Sequence, residues 1–163
     1  MNPTSTSRRR VPGIFFVLAR WLLGAAFVYM GLSKAWDPVG FLKSVHQYDV
    51  VQNHLVLNSI AAVLPWFEVF CGLLLLAGIA VRGTSLILLL LLVGFSWLVT
   101  HRAMEIMALK AIPFCAVKFD CGCGTGEEFI CRKITENLVL LFLAACVFFA
   151  DRKKLTRRQI NEP

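Results

Sequence analysis

Two cysteines separated by one glycine, Cys121-Gly122-Cys123, lie in the run Asp120 to Gly126, with Cys115 and Cys131 a few residues to either side. The spacing Cys-x5-Cys-x-Cys-x7-Cys admits three kinds of chemistry. Two structural disulfides could staple a loop, contributing roughly 2–4 kcal/mol each. Four thiolates could hold zinc, although structural zinc sites favour Cys-x2-4-Cys knuckles, which this spacing does not offer. The third is thiol–disulfide exchange, because a Cys-x-Cys pair among glycines closes a small, labile disulfide and flanking glycines leave the sulfurs accessible. Nearby charges bear on thiolate formation in both directions, with Lys118, Arg132 and Lys133 favouring it and Asp120 and Glu127 opposing it. Sequence leaves the three full pairings of the four cysteines open. Cys71 and Cys146 fall within apolar stretches, where cysteine behaves as a small hydrophobe.

The elements that must position these thiols are membrane helices. Of the 163 residues 58% are hydrophobic and 17% charged, and the mean hydropathy is +0.69, outside the range of soluble domains. Four apolar stretches are long enough to cross a bilayer at 1.5 Å per residue: Ile14 to Ser33, Ser59 to Ala80, Thr84 to Thr100 and Ile134 to Ala150. The last two are short and are expected to extend by a few residues or to tilt. The expected fold is an all-α integral membrane four-helix bundle with two outward-facing loops, the second rich in Cys and Gly. Residues 1–12 and 151–163 are expected to be basic cytoplasmic tails flanking a membrane domain at 13–150. The first apolar stretch contains Arg20 and lacks a small-residue cleavage site before Lys34, so it is expected to be retained rather than removed as a signal.

The net charge of +7 comes largely from clusters beside the first and fourth helices. Positive-inside topology accounts for them better than nucleic-acid binding. The two tails and the Arg82 turn carry nine Lys and Arg against seven in the other two loops. Both termini are therefore placed in the cytoplasm of a bacterial inner membrane, with the cysteine loop in the oxidising periplasm where disulfides persist.

Between the first two helices, Phe41, Leu42, Val45 and Tyr48 recur at helical spacing and predict a short amphipathic helix on the interface, with Lys34 and Trp36 at the headgroup level. Pro65 should kink the second helix, and Val81-Arg82-Gly83 should be a tight turn. Arg102 to Ile112 is read as a short separate helix stopped by Pro113, and Cys115 to Gly126 as irregular. Cys131 is placed on the first or second turn of the last helix.

Charges inside the hydrocarbon are costly, at least about 2.5 kcal/mol each, and so should face partners. Arg20 and Glu68 are expected to form an intramembrane ion pair, with Lys34 as the other candidate partner of Glu68. His46, His54 and His101 lie in the outward segments, where each could move protons or orient a quinone headgroup, although a solvated interfacial histidine is the plainer reading.

Five motifs in order resemble the DoxX/MauE superfamily of small four-helix membrane proteins. They are Arg20-Trp21-Leu22-Leu23-Gly24; Gly31-Leu32-Ser33-Lys34 with Asp37-Pro38; Leu64-Pro65-Trp66-Phe67-Glu68 with Cys71-Gly72; Arg82; and Asp120-Cys121-Gly122-Cys123-Gly124. The cysteine motif tilts the resemblance toward the redox-associated MauE branch. The resemblance implies a four-helix bundle with a periplasmic thiol role for Cys121 and Cys123.

The resulting expectation is a membrane thiol–disulfide oxidoreductase or its redox partner. Electrons would pass from a periplasmic thioredoxin-like or client protein to Cys121 and Cys123, by way of Cys115 and Cys131 if those take part, and on to a membrane quinone. The alternative is a non-catalytic accessory subunit of a larger respiratory or photosynthetic membrane complex, its disulfides purely structural. A small-substrate transporter fits less well, since only Arg20 and Glu68 could line a path through four helices.

Overall fold

The computed structural model describes residues 14–48, 53–120, 122 and 126–161, with side chains through residue 150. Four helices are long and apolar enough to cross a membrane. They are α1 (Ile14–Trp36), α3 (His54–Ala77), α4 (Val81–Lys110) and the first part of α5 (Ile130–Asn161). A short helix, α2 (Pro38–Gln47), follows α1, and two three-residue strands precede α5. The chain is an all-α membrane four-helix bundle. Residues 1–13, and with them the whole of the expected N-terminal tail, lie outside the described residues.

Local chemistry sets the helix ends. Asp37 caps α2 by accepting from the Gly40 amide at 2.9 Å, and Pro38 occupies the first turn, where its missing N–H costs nothing. Asn53 caps α3 by accepting from the Leu55 amide at 3.0 Å. α3 ends at Gly78, whose φ of 76° is the left-handed cap conformation. The tight turn between α3 and α4 therefore falls at Gly78 to Ala80, and Arg82 and Gly83 already belong to α4.

The expected extension of the last two spans is large. α4 runs unbroken through Lys110, so the segment predicted as a separate helix from Arg102 is its continuation. Nothing between Thr100 and Lys110 breaks a helix; the charges there only require that it has left the hydrocarbon. α5 likewise starts at Ile130 and continues into the basic C-terminal segment.

α1 and α3 pack closest, through glycine. A Cβ on Gly24 would stand 2.9 Å from the Gly72 carbonyl oxygen, and one on Gly72 would stand 2.7 Å from the Gly24 carbonyl. Gly31 meets the Pro65 carbonyl in the same way, at 2.6 Å. Small residues let the backbones approach, which is how helices associate where lipid removes the hydrophobic drive. Around this seam Leu23, Leu75, Leu88 and Val147 are fully buried, while Trp21, Trp66, Leu90 and Phe142 face outward.

The stretch expected to be irregular from Cys115 carries short regular elements on the described residues that flank its glycine-rich centre. After a 3-10 turn at Phe114–Ala116, β1 (Lys118–Asp120) pairs antiparallel with β2 (Glu127–Phe129), Phe119 opposite Glu128. A second apolar cluster anchors this hairpin: Phe119 and Val117 pack with Val99 and Ala103 of α4 and Ile130 of α5. Phe119 also meets Tyr48 edge-on, ring centroids 6.2 Å apart. The hairpin therefore stands on the end of the bundle formed by the close of α1, α2, the start of α3 and the extension of α4, here termed the loop end.

Candidate functional site

Within the loop end lies a buried ion pair. Lys34 Nζ is 2.7 Å from both carboxylate oxygens of Glu68, and the two residues are only 6% and 7% exposed. The expected pair between Arg20 and Glu68 is thus corrected to Lys34 and Glu68, and Lys34 is not the interfacial residue predicted. The Gly24–Gly72 contact explains why. It sets an antiparallel register in which Arg20 is level with the turn at Gly78, about ten residues or ~15 Å from Glu68. Counting from helix ends misjudged this, because α1 starts well below the turn that closes α3. A Cβ on Gly78 would meet the Arg20 guanidinium, so Arg20 sits at the C-terminal end of α3, where the helix dipole favours a cation. Its Nε has no hydrogen-bond partner among the described residues.

Aromatic rings surround the Lys34 ammonium, with the Phe41 centroid at 5.4 Å and the Phe95 centroid at 5.9 Å. Both are within reach of a cation–π attraction. Beside the pair is a largely enclosed cavity of about 170 Å³, lined by Lys34, Glu68, Phe41, Tyr48 and Phe95 among others. On its other side Lys34 also borders a crevice of about 160 Å³, bounded by Asp37 and Ser44 and by Asp120, Gly122 and Gly126 of the hairpin tip. Lys34 and Phe41 line both spaces and stand between a membrane-side cavity and a hairpin-side crevice.

The tip is seated on α2. Gly122 has φ of 73°, and its amide donates to Asp120 Oδ1 at 2.9 Å. A Cβ there would lie 3.1 Å from Ser44 Cβ and 3.3 Å from the Phe41 ring. Gly122 is the link between Cys121 and Cys123, both of which lie outside the described residues.

At the base of the hairpin Cys115 and Cys131 form a disulfide, Cα atoms 5.1 Å apart, joining the 3-10 turn to the first turn of α5. Cys71 and Cys146 are free thiols, and Cys71 packs in the apolar core. The histidines are dispersed. His46 stacks on His54 with centroids 6.4 Å apart, and His101 lies 3.7 Å from Glu105 on its own helix. None of the three lines the cavity beside Lys34. Lys34, which sequence reasoning offered only as the second candidate for Glu68 and placed at the interface, is the partner the structure gives it.

These features define a multi-pass membrane protein with a disulfide-bonded hairpin capping a buried Lys–Glu pair. Comparison with protein-family models matches residues 12–150 to the family described as methylamine utilisation protein MauE. The chain belongs to that family. No curated protein and no solved structure gives a match.

Proposed function

We propose that this protein is a membrane thiol–disulfide redox protein in which Cys121 and Cys123 are the exchanging pair. The observation that carries this reading is the Cys115–Cys131 bond. It takes two of the four thiols at the loop end, which supports reading the remaining two, Cys121 and Cys123, as a pair. The bond at the base of the hairpin acts as a staple. The pair at the tip receives electrons from thiols of a partner protein in the periplasm, assisting that partner's oxidation or maturation. A partner thiolate attacks one sulfur of the Cys121–Cys123 disulfide, and the partner's second thiol resolves the mixed disulfide. The partner is oxidised, and Cys121 and Cys123 become a dithiol. Family membership and the basic clusters flanking α1 and α5 support placing the loop end outside the cytoplasmic membrane of a bacterium.

Differential alkylation read by mass spectrometry tests the assignment. Under mild reductant Cys121 and Cys123 should open before Cys115 and Cys131, and one equivalent of a reduced thioredoxin-fold dithiol protein should be oxidised per chain. If all four cysteines stay locked, or Cys121→Ser oxidises that dithiol as well as the parent does, the exchange reading is wrong. The accessory-subunit alternative would then stand.

A further inference from the structure

The cavity beside Lys34 continues into the lipid. Ile60, Leu64 and Leu91 line both the enclosed 170 Å³ cavity and an open apolar groove of about 580 Å³ along the outer face of α3. Val56, Val63 and Phe67 extend the groove, and Ser59 is its lone hydroxyl. A pocket with a polar, aromatic-lined head and an apolar trough open to the bilayer fits a ligand of the same shape. The head is smaller than the ~300–1,000 Å³ of drug-sized sites, so it takes one substituted ring. An ammonium has three N–H donors and Glu68 receives two of those on Lys34, leaving one for a ligand oxygen.

We propose that this cavity and groove bind a lipid-soluble quinone, its ring against Lys34, Phe41 and Phe95 and its isoprenoid tail in the trough between Leu64 and Leu91. A phospholipid acyl chain would fill the trough, but it brings no acceptor to a buried ammonium walled by rings. The assignment rests on the exchange reading for its electron source. There, the Cys121 and Cys123 dithiol loses two S–H bonds and forms S–S. The two electrons and two protons convert both quinone carbonyls to hydroxyls. Lys34 hands a proton to the carbonyl it touches and regains one from the thiols through the crevice that reaches Gly122.

Equilibrium binding of decyl-ubiquinone to the full chain in lipid nanodiscs is the test, with mapping by an azido-quinone photolabel. Saturable binding is expected, with label on α3 and α4 near Leu64 and Leu91. Leu91→Trp, which fills the neck and leaves the ion pair intact, should weaken binding about tenfold or more, a loss of at least ~1.4 kcal/mol, without lowering the unfolding temperature. Cys121→Ser/Cys123→Ser should bind as the parent does. The parent chain separates the two readings, because a parent that binds quinone but fails to oxidise dithiols refutes exchange and leaves the site standing. The site is overturned if binding does not saturate, if Leu91→Trp binds as tightly as the parent, or if dodecanol displaces the quinone as readily as unlabelled quinone does, the mark of an acyl groove only.

Discussion

Lys34 holds both carboxylate oxygens of Glu68 at 2.7 Å across the seam between α1 and α3, in the half of the bundle beneath the hairpin. Removing one partner leaves an uncompensated buried charge, which typically costs 3–5 kcal/mol, whereas replacing both by apolar groups is often close to neutral. Lys34→Met alone should therefore abolish or severely lower recovery of the folded chain in detergent. Lys34→Met/Glu68→Met should restore much of it. Size-exclusion recovery and thermal unfolding read the difference, and a double variant no better than the single would show that the pair does not act as a unit.

The glycines of the α1–α3 seam should tolerate nothing larger. A methyl on Gly24 or Gly31 meets backbone carbonyl oxygen at 2.9 and 2.6 Å, so the helices must part. Gly94, on α4, has nothing within 4 Å of the same position. Thermal unfolding in detergent should fall for Gly24→Ala and Gly31→Ala. For Gly94→Ala it should hold or rise, since glycine inside a helix costs roughly 0.5–1 kcal/mol relative to alanine.

The bundle was largely legible because apolar runs bounded by charge dictate spanning helices whatever they pack against. The ion pair was legible only as to its candidates, Glu68 with Arg20 or Lys34. Glu68 had to find a cation, but the choice of Lys34 over Arg20 depends on helix register, which the Gly24–Gly72 contact sets and no local pattern announces. The hairpin was hidden for a similar reason. Lys118-Phe119-Asp120 and Glu127-Glu128-Phe129 carry almost no strand signal, and the pairing is held by Phe119 seated against Tyr48 and Val99 from distant parts of the chain. The continuation of α4 was missed because Arg102 and Glu105 end a hydrophobic run without ending a helix; they are ion-paired on one face at 2.8 Å.

Orientation is testable with thiol chemistry. Cys115 is exposed at the loop end, and Gly83 is in open space at the opposite end of the bundle. In intact cells after brief reduction, a membrane-impermeant maleimide should label Cys115. It should label a cysteine placed by Gly83→Cys only after the cells are opened. The reverse pattern would invert the topology and put the thiol loop in a reducing compartment.

The disulfide at the hairpin base closes a loop of 16 residues' separation. Chain-entropy reasoning gives a bond of that span about 3 kcal/mol. Cys115→Ser/Cys131→Ser should thus lower the unfolding temperature and increase amide exchange of β1 and β2. If the staple reading holds, the surviving folded protein still oxidises a dithiol in a single turnover. Complete loss of turnover in folded protein would instead make the bond a relay.

Gly122 couples the hairpin to α2 more tightly than the neighbouring Gly126 does. Both have positive φ, 73° and 77°, so alanine at either is strained by roughly 1–2 kcal/mol. Only at Gly122 would the new methyl also press on Ser44 and the Phe41 ring, whereas nothing lies within 4 Å at Gly126. Phe41 in turn lies over the Lys34 ammonium, so a displaced tip disturbs the wall between the crevice and the cavity. Gly122→Ala should therefore slow dithiol oxidation several-fold more than Gly126→Ala in protein that remains folded, and should lower the unfolding temperature further, by the added contact with Ser44 and Phe41. Equal rates in the two variants would mean that the tip works without its seat on α2, and that its contact with the Lys34 site is incidental.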